Sequence, residues 1–223
     1  MKTIALTIIL FLFSFLSCFA QNIPIPANYT LIDSVSGDLD KDNVKELVVA
    51  CDTRKEIEEY DNIPRELIIY KMKGGKWVAW KSSLQALAGS RDGGSLGDPY
   101  QGMEIQNGIL SISHYGGSSW KWGHTDKYRY QEGGFYLIGY IESYGRMCVE
   151  WTTIDFNLST GKLVTQKEFQ TCSDTDDAMK IDKTESETIY KKGLKITLEK
   201  RNEKEIKIVT PRYNMKFILT KDD

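Results

Sequence analysis

The sequence predicts an all-β fold of antiparallel hairpins and a meander, arranged as propeller-blade-like or sandwich-like sheets. Apolar and polar residues alternate with a period of two through most of the segments between turns, which is the pattern of strands with one buried face. Gly, Asn and Asp interrupt these segments at the short intervals typical of sandwiches and barrels. No segment after residue 20 keeps a helical period beyond two turns, so no long helix is expected.

The first predicted unit covers residues 21–82 and contains four strands. An acidic loop separates the first two strands, and Gly74-Gly75 forms the turn of the hairpin that follows. A charged surface connection over 53–64 joins the two halves. The four strands are expected at 29–35, 46–51, 66–71 and 76–80.

An aromatic-rich β region is predicted at 83–173 and a C-terminal meander at 174–223, so that residues 21–223 form a single β domain. Asn107-Gly108 lies between two alternating runs and predicts a type I′ hairpin. Residues 89–99 are rich in Gly, Ser and Asp and are expected to form a mobile loop. The remaining strands are expected at 119–122, 127–131, 135–140, 147–157, 163–171, 187–192, 194–200, 205–210 and 214–220.

The N-terminus has the three parts of a secretory signal peptide, which predicts removal of residues 1–20. Lys2 supplies the positive charge, residues 4–16 are apolar, and Cys18-Phe19-Ala20 is a cleavage site that leaves Gln21 as the first mature residue. The apolar run is shorter than the roughly 20 residues of a transmembrane helix, and no membrane span is expected in the mature chain. The protein is therefore expected to be secreted or periplasmic. The alternative is a lipoprotein signal in which Cys18 is lipidated.

A loop of regularly spaced acidic residues predicts a calcium site. Asp38, Asp40, Asp42 and Glu46 occupy positions one, three, five and nine, and Val44 at position seven would offer its backbone carbonyl. Ca²⁺ takes six to eight oxygen ligands, which a loop of alternating carboxylates can supply. The alternative is an acidic turn without an ion, because Asp and Asn favour turns in any case.

This loop resembles the calcium loop of FG-GAP or VCBS-type repeats, which also runs from strand to strand with acidic residues at one, three, five and nine. The resemblance implies Ca²⁺ at Asp38, Asp40, Asp42 and Glu46, with Val44 as the carbonyl. The Phe-Gly and Gly-Ala-Pro elements of those repeats are absent and only one copy is present, so a closed propeller is not implied.

A second cluster of chemistry-bearing residues is aromatic. Tyr115, Trp120, Trp122 and Tyr128 are the candidate binding residues, since aromatic rings on one strand face can stack on sugar rings or cover a peptide groove. The alternative is that these rings cover a sheet core. The two histidines of the chain, at 114 and 124, could ligate a transition metal or act as a general base, but no third ligand is fixed by spacing.

A wider resemblance rests on Gly97-Asp98-Pro99-Tyr100 and on the sequence motifs at 114–122, 128–131 and 135–139. Together with the acidic loop these motifs resemble those of a group of bacterial exported proteins, over roughly residues 32–170. The resemblance implies export and this architecture, and no particular activity.

Cys148 and Cys172 are predicted to form a disulfide. A three-residue hairpin loop that pairs Leu158 with Lys162 places residue 148 opposite residue 172, and exported proteins usually oxidise such pairs. The alternative is that the cysteines are unpaired and buried. Cys51 lies in an apolar run and is interpreted as a small core residue.

These observations predict a secreted calcium-binding β-sheet protein, with Ca²⁺ as cofactor, that serves as a binding module for a protein or a glycan in the cell envelope or outside the cell. One alternative is an extracytoplasmic hydrolase of glycan or peptide that uses Asp98, Glu104 or the two histidines; another is a structural envelope component. No catalytic residue is assigned. The formal net charge is −2 and no segment has a strong single-sign bias, so no nucleic-acid interface is expected.

Overall fold

The computed structural model describes residues 23–54, 62–173 and 179–220. The predicted signal peptide and Cys18 lie outside these ranges. Within them the chain is almost entirely β-structure, as predicted, with two short 3₁₀ turns at Gly94–Leu96 and Leu198–Lys200. The strands are β1 (Thr30–Gly37), β2 (Glu46–Asp52), β3 (Arg65–Lys73), β4 (Lys76–Ser83), β5 (Tyr100–Gln106), β6 (Ile109–Gly117), β7 (Lys121–Gln131), β8 (Gly134–Arg146), β9 (Glu150–Asn157), β10 (Lys162–Cys172), β11 (Met179–Tyr190), β12 (Ile206–Val209) and β13 (Lys216–Thr220).

The strands form antiparallel sheets in which hydrogen-bonded neighbours are also neighbours in the sequence. The four-stranded sheet has the order β1-β2-β3-β4, the seven-stranded sheet runs from β11 to β5, and β12 pairs with β13. The predicted C-terminal meander takes a different form. Residues 187–190 end the long strand β11, and residues 194–200 form an isolated bridge and a 3₁₀ turn in place of a strand. No helix in the described ranges is long and apolar enough to cross a membrane.

Local turn chemistry sets the two hairpins that the sequence predicts most directly. Asn107 and Gly108 have φ angles of 54° and 75°, the left-handed values of a two-residue type I′ turn between β5 and β6. Gly74 and Gly75, with φ angles of 56° and 76°, make the same kind of connection between β3 and β4. Both predicted turns are confirmed.

The main core lies between the four-stranded sheet and one face of the seven-stranded sheet. Val48 and Leu67 come from the small sheet, and Leu110, Phe135 and Phe156 come from the large one. Strand β2 is buried along most of its length, because Val49 and Cys51 on its other face belong to a second cluster, against which Ile23, Tyr29 and Trp77 pack. The β12–β13 hairpin adds its inward side chains to the main core. The seven-stranded sheet therefore has one face that packs on the core and one face that is open to solvent.

The disulfide prediction is confirmed, but the register that led to it is wrong. Cys148 and Cys172 are bonded, with their Cα atoms 5.1 Å apart. The turn after β9 holds four residues and pairs Asn157 with Lys162, where the sequence predicted Leu158 with Lys162. Cys148 precedes β9 and lies in a turn with a φ of 65°. Cys51 is a buried free thiol, as interpreted.

Candidate functional site

The acidic loop between β1 and β2 brings three carboxylates together. Ligand atoms of Asp38, Asp40 and Asp42 all lie within 4.8 Å of one another. The N–H of Asn43 donates to Asp38 at 3.0 Å, and the N–H of Val44 donates to Asp42 at 2.8 Å, so the backbone fixes two of the three side chains. Asn43 has a φ of 67°, the left-handed geometry that a tight loop needs and that Asn tolerates.

A lysine from the neighbouring strand lies against these carboxylates. The Lys71 ammonium group donates a hydrogen bond to Asp40 and lies 3.6 Å from an oxygen of Asp42 and 3.7 Å from an oxygen of Glu46. Burial tends to lower the pKa of Lys71, but the hydrogen bond and the charge of Asp40 outweigh it, so the pKa is raised. Lys71 also lies over the Trp80 ring, 4.2 Å from its centroid. The acidic cluster is therefore partly neutralised from within the fold.

Glu46 and Val44 lie in surroundings that differ from those of the three Asp residues. Glu46 is only 1 % exposed, and its Oε2 accepts the N–H of Leu39 at 2.7 Å. Burial is the main cause of the raised pKa of Glu46. Val44 exposes its side chain. Oδ1 of Asp38 and Oδ1 of Asp40, by contrast, are buried and accept no hydrogen bond. These two oxygens fit a hard cation, whereas Glu46 holds the loop closed.

The four predicted aromatic binding residues do not form one surface. Tyr115 is 39 % exposed and lies opposite Gly123, on the sheet face away from Trp122. Trp120 is 45 % exposed and lies in the connection before β7. Tyr128 is fully buried, so the prediction that it contributes to a binding surface is wrong. Trp122 faces inward and is partly buried.

Trp122 instead contributes to a cleft of about 810 Å³ on the inner face of the large sheet. Its floor comes from alternate residues of β6, β7 and β8, which strand periodicity places on one face: His114, Trp122, His124, Asp126, Tyr140 and Glu142. Its walls come from chain segments at 62–65, 84–89, 201–202 and 218–220. The volume lies within the range of small-molecule sites.

The rings on the floor of the cleft are stacked in a row. The centroids of Trp122 and His124 are 5.8 Å apart with nearly parallel planes, and those of His124 and Tyr140 are 5.9 Å apart. His114 lies directly across the strand pair from His124, with centroids 4.9 Å apart. Gly116 makes room for Trp122, because a Cβ atom there would lie 2.6 Å from its ring. The row is an ordered aromatic surface at the bottom of a polar cleft.

His114 has one nitrogen engaged and one without a partner. Its Nε2 accepts the N–H of Ala88 at 3.2 Å, so in the neutral ring the proton lies on Nδ1. Nδ1 is buried and has no hydrogen-bond partner, and the whole residue is 4 % exposed. Burial, with a contribution from His124, lowers the pKa of His114 to about 3. Burial also lowers the pKa of His124. Both imidazoles are therefore uncharged at neutral pH.

A buried ion pair forms part of the lining of the cleft. Arg201 donates to both oxygens of Asp126, at 2.6 and 3.1 Å, and to the carbonyl of Leu219 at 2.7 Å. The hydroxyl of Tyr128 donates to Asp126 at 2.9 Å. Burial would raise the pKa of Asp126, but Arg201 outweighs it and lowers that pKa. These bonds tie the C-terminal segment to β7.

The carboxylates considered for hydrolysis are placed elsewhere. Asp98 accepts two hydrogen bonds from Arg65, both 2.7 Å, and Arg65 also donates to Asp52 at 2.9 Å. Arg65 lowers the pKa of Asp98 despite the opposing effect of burial. Glu104 lies on β5 opposite Ser111 and is not part of the cleft wall. Asp98 therefore fastens β3 to the segment before β5.

Sequence reasoning missed the cleft, although part of its signal was present. A short connection between β6 and β7 is enough to place His114 opposite His124 and Trp122 beside them. Arg201 gave no comparable signal, because its position depends on the path of the C-terminal segment, whereas Glu142 lies opposite His124 in the adjacent β7–β8 hairpin. Comparison with known proteins found neither a protein family nor a curated protein that matches the chain.

Proposed function

We propose that this protein is a calcium-binding β-sheet module that works outside the cytoplasm and binds a macromolecular partner there. The observation that carries the proposal is the convergence of Asp38, Asp40 and Asp42, with two buried carboxylate oxygens that accept no hydrogen bond. Buried anionic oxygens without partners are unfavourable, and a hard cation is the ligand that satisfies them.

Asp38, Asp40 and Asp42 would hold the ion. The positive charge of Ca²⁺ would offset the repulsion between their carboxylates. Lys71 supplies part of that charge already. The ion and the Lys71 ammonium group therefore compete for the carboxylate of Asp40. Binding would shift Lys71 away from the loop and rigidify the connection between β1 and β2.

The Cys148–Cys172 disulfide supports a location outside the cytoplasm, because disulfides persist in oxidising compartments and are rare in reducing ones. A role in binding is supported by the cleft, whose aromatic floor is ordered and whose volume suits a ligand. Of the carboxylates considered for hydrolysis, Asp98 is ion-paired with Arg65 and Glu104 is not among the residues that line the cleft, so neither supports a hydrolase.

Thermal unfolding of the chain 21–223 with excess Ca²⁺ and with a chelator tests the calcium site. A ligand at about 100 times its dissociation constant adds roughly 2.7 kcal/mol to the free energy of unfolding, which for a chain of this size raises Tm by about 5–10 °C. The double variant Asp38→Ala/Asp40→Ala should lose this rise. Lys71→Met should enlarge it, because the internal cation is then absent.

The exposed Glu205, outside the loop, provides the matched control. Glu205→Ala should keep the full calcium-dependent rise in Tm. A wild-type rise below about 1 °C, or an equal rise in the Asp38→Ala/Asp40→Ala variant, would show that the acidic loop is a turn without an ion.

A further inference from the structure

The cleft offers a hydrogen-bond donor that no residue of the described ranges accepts. Nδ1 of His114 carries a proton, is buried and has no partner, while the ring is held in place by the N–H of Ala88. A buried donor without an acceptor is unfavourable, because it has lost its hydrogen bond to water. Its retention on the floor of a cleft of about 810 Å³ indicates that a ligand supplies the acceptor.

The charges around the cleft disfavour an anionic ligand. Arg201 is neutralised by Asp126, and Arg65 is neutralised by Asp52 and Asp98. Both histidines are uncharged at neutral pH, so the floor presents no cation without a counterion. Asp92 and Glu142 add carboxylates to the lining.

The two kinds of polar group on the floor favour a ligand with hydroxyl groups. His114 requires an acceptor, and the carboxylate of Glu142, directly across the strand pair from His124, accepts hydrogen bonds. A simple ammonium ligand could bind the Glu142 carboxylate but has no acceptor for His114. A hydroxyl group both donates and accepts, so a ligand with several hydroxyls can serve both His114 and Glu142.

The aromatic row completes the pattern. Trp122, which is only partly buried and stacks on His124, offers an apolar ring beside these polar groups. A pyranose ring has an apolar C–H face and a rim of hydroxyls, which matches such a surface. We infer that the cleft is a binding site for an uncharged sugar residue of a glycan, with its hydroxyls on His114 and Glu142 and its C–H face on Trp122. This inference rests on the proposed binding function and names its partner, and it is independent of the calcium loop.

The experiment is titration of the chain 21–223 with neutral oligosaccharides of hexoses and of N-acetylhexosamines, followed by tryptophan fluorescence and by calorimetry. An oligosaccharide of uronic acids and a lysine-rich peptide serve as charged probes. At least one neutral oligosaccharide should bind, and each charged probe should bind at least about tenfold more weakly. Tighter binding of a charged probe, or no binding by any neutral probe, would overturn the inference.

Paired variants locate the site. Trp122→Ala and Glu142→Gln should each weaken sugar binding about tenfold or more, while Trp120→Ala, which removes an exposed tryptophan outside the cleft, should not change it. Circular dichroism and Tm show whether each variant folds. If Trp122→Ala does not fold, Glu142→Gln still tests the site, because it keeps the shape of the side chain. Binding that is lost in Trp120→Ala and retained in Glu142→Gln would place the sugar elsewhere and overturn the inference.

Each titration is run with Ca²⁺ and with chelator. The cleft shares no residue with the acidic loop, so sugar binding should persist in chelator. A failed calcium experiment would count against the acidic loop as an ion site, and a failed sugar titration would count against the cleft as a sugar site.

Discussion

The Arg201–Asp126 pair provides a quantitative test of how the C-terminal segment is held. Arg201→Met keeps much of the side-chain volume and removes three buried hydrogen bonds, two to Asp126 and one to the carbonyl of Leu219. Asp126 would then be a buried carboxylate with only the hydroxyl of Tyr128 as a donor among these contacts. Removal of one partner from a buried ion pair typically lowers stability by about 3–5 kcal/mol.

For a chain of this size that loss corresponds to a fall in Tm on the order of 10 °C. Equilibrium unfolding in urea, followed by tryptophan fluorescence and far-UV circular dichroism, measures the loss of stability. The comparison holds when the slope of the free energy of unfolding against urea concentration is the same in both proteins. The double variant Arg201→Met/Asp126→Leu should lose less than Arg201→Met alone, since the uncompensated charge is gone.

The pH dependence gives an independent check. In the wild type the pKa of Asp126 is lowered, so its contribution to stability is present above the unfolded pKa and is lost as pH falls through the folded pKa. In Arg201→Met, burial raises that pKa, and protonation relieves the buried charge. The difference in stability between wild type and variant should therefore shrink between about pH 7 and pH 4. A loss below about 1 kcal/mol at pH 7, or a difference that does not change on acidification, would refute this account of the pair.

Two further predictions concern the cysteines. Cys148→Ser/Cys172→Ser should lower the free energy of unfolding by about 3–4 kcal/mol, the chain-entropy value for a loop that spans 24 residues; urea unfolding measures it, and an unchanged midpoint under non-reducing conditions would contradict it. The thiol of Cys51 is buried and burial raises its pKa to about 11, so a thiol reagent should modify the chain 21–223 only after unfolding. Rapid labelling of one thiol at pH 8 without denaturant would show that β2 opens more readily than its packing implies.

The turns were predictable because their chemistry is local. Asn107-Gly108 requires left-handed backbone at both residues, and few other conformations compete at that position. The turn after β9 was one residue longer than the sequence suggested, since Gly161 suits the left-handed position of more than one loop type. The disulfide was found nonetheless, because Cys148 lies in a turn outside the paired strand and its position is not set by that register.

The site was less predictable than the fold. A period of two shows that Trp122 and Tyr128 share a face of β7, but it does not show which part of that face the other sheet covers. The acidic loop shows the same limit: spacing grouped Glu46 with the three Asp residues, whereas the fold buries it against the N–H of Leu39. Asp126 and Arg201 are 75 residues apart, and their pairing depends on the return path of the C-terminal segment.

The distance in sequence between the two halves of the cleft has a consequence for how the protein folds. The large sheet can grow one hairpin at a time, because each strand pairs with its sequence neighbour. The contact between Asp126 and Arg201 spans 75 residues, so it closes a much longer loop than any hairpin of that sheet. We therefore expect the wall that contains Arg201 to join late in folding, and a chain truncated before Arg201 would leave Asp126 without its ion-pair partner.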